Sequence, residues 1–194
     1  MDSELQQLLD SPRLPFIARK IDAVLADEAT RRQGFYAQIS EDDKAEFING
    51  QIIFHSPVKL RHNANTKRLL VLLDAHVTSH DLGYVGYEKI MVSLTRNDYE
   101  PDICFFGQAK AAALAPDQMR FPAPDLVVEY WIVDPVTETL EQYRLPEEGD
   151  TYELVIKAMT GQVRSVAIPS FEIPVRAIFD PQVNRSALQT ILAG

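Results

Sequence analysis

Two short stretches of this chain carry the residue types that do hydrolytic chemistry. They are Glu100-Pro101-Asp102-Ile103-Cys104-Phe105-Phe106 and Ala123-Pro124-Asp125-Leu126-Val127-Val128-Glu129. In each, a proline and an aspartate run into apolar, strand-type residues. Proline fixes φ and cannot donate to a ladder, so it suits the first position of a strand. Asp102 is thereby expected at a strand's mouth. Glu129 instead lies inside the run 126–133, where a carboxylate faces either water or a partner that compensates its burial. Two carboxylates on neighbouring strands could share a divalent cation through their oxygens. The alternative is that Asp102 caps a turn and Glu129 is a solvated residue of an edge strand.

The elements that must position these residues follow from period and punctuation. A short helix is expected over 3–10 with Ser3 as its cap. A longer one runs from Phe16 to about Gln33, where Ile17, Ile21, Val24 and Leu25 recur at helical spacing. Ser40 and Asp43 resemble a capping box that would start a helical turn. Glu46 to Phe54 reads as a hairpin around Asn49-Gly50, a turn in which both central residues need positive φ. The segment from Lys59 to about Asp81 has a stripe of Leu60, Leu69, Leu70, Leu72, Leu73 and Val77, with Gly83 placed to end the helix.

Strands are expected at 84–94, 102–107, 126–133, 139–145, 152–156 and 162–167. A turn is expected at 95–98 and a short helix within 108–119. Residues 171–175 read as a docking segment, and Ser186 caps a terminal helix over 186–192. The balance is α/β, or mixed α+β: one mixed sheet flanked by helices. The expected organisation is a single domain over 1–194. It has a helical extension (1–38), a core (39–180) and a C-terminal helix (181–194).

Composition narrows the function classes. The 194 residues carry a formal net charge of −9, which argues against gripping nucleic acid through a broad basic face. Arg61, Lys67 and Arg68 cluster on the long helix and Arg19-Lys20 form a pair upstream; a solvated helix face accounts for both. No apolar run reaches membrane-spanning length, and the N-terminus has no secretory pattern. The single cysteine, Cys104, fits a reducing cytoplasm. His76 and His80 have the i, i+4 spacing of some zinc sites, without an adjoining glutamate or a third ligand. Phosphate-binding glycine loops, a nucleophile elbow and cysteine clusters are all missing from the sequence.

The order of the motifs resembles the Uma family of nucleases, within the PD-(D/E)XK restriction-endonuclease-like superfamily. The matching stretches are Glu46 to Ile52, His62 in the long helix, Glu100 to Ile103, Ala123 to Glu129, Tyr130 to Pro135 and Thr139 to Arg144. They span roughly residues 35–160. The resemblance implies a restriction-endonuclease-like core and metal-dependent hydrolysis of phosphodiester bonds. DNA would be the substrate, and a homodimer is compatible with the family. Asp102 would match the family's PD aspartate and Glu129 the second acid, both holding Mg²⁺ or Mn²⁺. Glu46 would match an upstream acid that helps hold the metal or its water. His62 would match a helix histidine that contacts phosphate or water.

The chain departs from that pattern after Glu129. The superfamily's usual lysine position, two residues on, is Trp131, and Lys67 and Lys89 are the stand-ins to consider. The serine-rich loop and helix that such proteins place between the two strands are absent, and a parallel crossover needs about a dozen residues. Leu126 to Val133 is therefore expected as one continuous strand, unless a segment between Glu129 and Tyr130 is missing from the sequence. A catalytically impaired protein, or a non-enzymatic interaction module on the same fold, stands as the alternative to an active nuclease.

Overall fold

A computed structural model describes residues 3–125, 129–147, 149 and 151–194. Helix α1 covers Ser3–Leu9 and α2 covers Leu14–Gln38. The second is a single 25-residue helix, longer at both ends than the apolar spacing suggests. Pro15 sits in its first turn, where the missing N–H removes no helical bond. Ser40 and Asp43 do bond to each other, through the Ser40 N–H and hydroxyl, but a turn follows rather than a helix.

Strands β1 (Ala45–Ile48) and β2 (Gln51–Phe54) form the expected hairpin, with Asn49 and Gly50 at φ 49° and 77°. A Cβ on Gly50 would lie 2.9 Å from the Glu28 side chain, so α2 packs directly on the turn. Arg31 donates to the Gly50 carbonyl at 2.6 Å. Alternation on β1 turns Ala45 and Phe47 inward onto Phe35 and Met91, and leaves Glu46 on the opposite face. Burying a side chain such as Phe47 stabilises the fold by about 1.5–3 kcal/mol.

Helix α3 (Leu60–Ser79) lies against strand β3 (Gly83–Tyr87) and two C-terminal helices, α5 (Arg176–Phe179) and α6 (Pro181–Leu192). Its stripe of Leu69, Leu72, Leu73 and Val77 joins Phe105, Leu140, Val163, Phe171, Ile173 and Ile178 in the main core. Helix α6 starts five residues before Ser186. Asp180 is its cap, accepting from the N–H groups of Gln182 and Val183, and Ser186 donates instead to the Gln182 carbonyl.

The expected strand over 84–94 is two strands. β3 ends at Tyr87 and β4 (Met91–Ser93) begins in another sheet, because Glu88 and Lys89 both take positive φ, 39° and 52°. Residues 98–99 form the short β5, 103–107 form β6, and 120–121 form β7, with helix α4 (Gln108–Ala111) between the last two. Among the described residues the strands divide into four sheets instead of one. The largest has the order β2-β1-β5-β4-β7 and is mixed, its β4–β7 pair being parallel. Among the described residues, β6 pairs with β3. β8 (Glu129–Asp134), β9 (Thr139–Arg144) and β10 (Glu153–Ala158) form a three-stranded antiparallel sheet, while β11 (Gln162–Arg164) pairs with β12 (Glu172–Pro174).

Glu129 runs into Tyr130 without a break, as the missing crossover requires, and Leu126–Val128 of that expected strand lie outside the described residues. Asp134 ends β8 by accepting from the Val136 N–H and the Thr137 hydroxyl. Among the described residues, no helix is long and apolar enough to cross a membrane.

Candidate functional site

The end of the β1–β2 hairpin, the first turns of α3, the start of β6 and the start of β8 meet around one cavity of about 530 Å³. Glu46, His62, Asp102 and Glu129 all line it. Asp102 immediately precedes β6, with Pro101 before it, which is the strand-mouth position expected of it. Its backbone carbonyl accepts from the Glu88 N–H, and its carboxylate stays 45% exposed. His62 Nε2 lies 3.0 Å from Asp102 Oδ2, and Lys44 Nζ lies 3.7 Å from Oδ1.

Glu46 is tied in from the other side. It accepts the Glu100 N–H at 2.8 Å on Oε1 and faces His55 Nε2 at 3.3 Å on Oε2. Glu100 itself is buried, and its Oε2 has no hydrogen-bond partner among the described residues. Burial raises its carboxyl above the ordinary value; Lys44 and His55 pull it down, and Glu46 pushes it up. Cys104 is buried two residues beyond Asp102, and burial pushes its thiol up to about 12, which suits a packing role rather than a nucleophile.

Glu129 stands apart from this group. Among the described residues its strand pairs with β9 while β6 pairs with β3, and the two acids share no sheet there. Glu129 is fully buried. Gln142 Nε2 donates to it at 2.7 Å, the Val166 N–H at 3.1 Å, and the Ser165 hydroxyl bonds to its other oxygen. These contacts compensate the buried carboxylate. Asp125, in the second Pro-Asp pair, is a strap. It accepts from the Gly107 N–H and pairs with Lys110, holding the end of β6 to the 120s loop.

Lys44 and His55 are residues that sequence reasoning missed. The hairpin register pairs Ala45 with Phe54, so Lys44 and His55 are the next facing pair, bonded through His55 N–H and the Lys44 carbonyl. Counting outward from Asn49-Gly50 would have found them. The stand-ins considered for the lysine lie elsewhere: Lys67 is exposed on α3, and Lys89 donates to the Glu41 carbonyl. The rings of His76 and His80 lie 4.4 Å apart, tilted by 33°, and bond to the carbonyls of Pro169 and His76. Among the described residues, no three His, Cys, Asp or Glu side chains converge so as to hold a metal ion.

Residues 32–129, half of the chain, match the family Uma2, described as "Putative restriction endonuclease". A solved structure from Anabaena variabilis, titled as a putative nuclease belonging to DUF820, superposes with a TM-score of 0.62 at 16% identity. The match covers 79% of this chain and 96% of that one. At that identity the likeness establishes the fold, a restriction-endonuclease-like one. No curated protein matches the chain.

Proposed function

The chain belongs to the Uma2 family of restriction-endonuclease-type proteins, and on that premise we propose that it is a metal-dependent endonuclease that cleaves DNA at Asp102. The observation that carries this reading is the convergence of Asp102, His62 and Glu46 at one cavity, with Lys44 beside Asp102. An acid is held there between a histidine and a lysine, beside a second acid. Family membership implies a nuclease acting on nucleic acid; the metal and the choice of DNA are this reading's own.

Mg²⁺ or Mn²⁺ would be held by Asp102, with Glu129 as the second acid. Carboxylate oxygens are the right donors for these hard ions. Asp102 fits: it is half exposed and borders the cavity. Glu129 fits in kind only, because its oxygens already accept from Gln142, Ser165 and Val166, which must yield before it can serve. Such an ion lowers the pKa of a water bound to it and offsets charge developing on phosphate. The chain's own contribution is positional. His62 presents a ring nitrogen, and Lys44 a cation, to a phosphate drawn up to Asp102, in an otherwise acidic cleft. Glu46 is braced by Glu100 and His55, so its carboxylate enters the cleft with its direction fixed.

The engagement of Glu129 favours a second reading, a catalytically impaired protein or an interaction module that keeps the fold. One experiment separates them. Supercoiled DNA is incubated with the purified chain in EDTA, Mg²⁺ or Mn²⁺, alongside folded Asp102→Ala. The nuclease reading expects metal-dependent nicking by the wild type alone. No nicking under any metal, with no Mn²⁺ binding in a titration, would select the second reading. Full-rate nicking by Asp102→Ala would place the site elsewhere.

A further inference from the structure

The cavity beside Asp102 is far larger and more apolar than a phosphate or a metal requires. Its inner wall is Leu69, Leu73 and Ile168, all nearly or fully buried. Tyr130, Trp131 and Tyr152 supply aromatic surface. The Tyr130 ring is held in place: it stacks on Tyr143 at 4.7 Å and 4° and meets Tyr152 edge-on at 4.8 Å. Preset rings of this kind take a flat ligand with little loss of freedom. Among the described residues, the buried Trp131 Nε1 has no hydrogen-bond acceptor. A cavity of about 530 Å³ is of the size that encloses a small organic ligand.

Charge decides which part of a nucleotide enters. Glu129 lies in the wall, fully buried, so the interior disfavours phosphate. The groups that can face phosphate, His62 and Lys44, flank Asp102 at the exposed rim. A flat, uncharged aromatic ring with acceptors on its edge suits the interior, and its phosphate suits the rim.

We propose that the aromatic chamber bounded by Tyr130, Trp131 and Tyr152 receives a single nucleobase, with the adjoining phosphate at His62, Asp102 and Lys44. A base enclosed by these rings has left its stack on neighbouring bases, so the nucleotide at this site must be unpaired or extruded from the duplex. The link to cleavage rests on the nuclease reading; the binding of a base does not.

Trp131 is the single tryptophan, so its emission reports on the chamber directly. The full chain is titrated in EDTA with dAMP, with 2-deoxyribose 5-phosphate and with inorganic phosphate. A saturable change with dAMP is expected, with binding of the sugar phosphate at least about ten-fold weaker, the scale of base–aromatic stacking. Tyr130→Ala, at a 39% exposed position, is expected to lose the dAMP response while keeping the wild-type far-UV circular dichroism. No response to dAMP, or an equal response to the sugar phosphate, overturns the proposal. A dAMP response in a chain that cleaves nothing keeps the chamber and sinks the nuclease. In a chain that cleaves, one abasic position in a single-stranded oligonucleotide is expected to suppress cutting there at least about ten-fold. Unchanged cutting overturns the proposal while leaving the nuclease intact.

Discussion

His62 Nε2 lies 3.0 Å from Asp102 Oδ2, and this pair couples the long helix α3 to the mouth of β6. Asp102 is half exposed, so its removal should spare the fold. Asp102→Ala is expected to lower the cleavage rate by about a hundred-fold or more. The unfolding free energy should shift by less than about 1 kcal/mol. Cleavage rate and urea midpoint on the same preparation check both. A variant that keeps its rate, or one that simply unfolds, would contradict this assignment.

Lys44 offers a cleaner test, because a half-exposed ion pair as long as 3.7 Å contributes little to stability. Lys44→Ala should reduce cleavage about ten-fold or more with an unchanged urea midpoint, and Lys44→Arg should recover part of it. A rate that is the same in all three proteins would remove Lys44 from the site.

Glu129 should behave in the opposite way. Its carboxylate holds Gln142, Ser165 and the Val166 N–H together, so Glu129→Ala leaves several buried groups unpaired. A loss of about 2–5 kcal/mol is expected in urea unfolding. Little or no loss would mean that Glu129 is not a structural anchor, and its place as a metal ligand would gain.

Glu100 gives the pH dependence. Its carboxyl is raised above the ordinary value, first by burial. The folded chain then holds a proton that the unfolded chain has released, over the interval between the two values. Stability contributed by this group therefore falls as pH rises through that interval and is level outside it. Glu100→Gln should be more stable than wild type at neutral pH, and that advantage should shrink as pH drops through the carboxylate range. Urea titrations at acid and neutral pH read the difference directly. An advantage that does not vary with pH would show that the carboxyl's ionisation is not its source.

What the sequence disclosed was mostly local. Asn49-Gly50 dictates its hairpin because both residues take positive φ, and the leucine stripe of α3 is repeated often enough to be unambiguous. The break between β3 and β4 was hidden because Glu88 and Lys89, neither of them a usual turn residue, make the left-handed turn. At the site, the Pro-Asp punctuation placed Asp102 at its strand mouth. The surroundings of Glu129 were not legible. Ser165 and Val166 lie 36 and 37 residues further on, and no local pattern announces that they will close over a carboxylate. The direct run of Glu129 into Tyr130 within β8 was legible, because the step between them leaves no room for a crossover.

Helix α2 is fastened only along its second half. Arg32 grips the buried Asp98, Glu28 pairs with Arg96, and Phe35 enters a core, whereas Phe16, Ile21, Val24 and Leu25 remain 44–53% exposed. One helix thus spans two regimes of amide protection. Backbone protons near residues 16–25 should exchange with solvent deuterium through local fraying, while those near 30–38 should await opening of the hairpin on which they rest. A protection profile that rises along a single unbroken helix would be the signature of this one-sided anchorage.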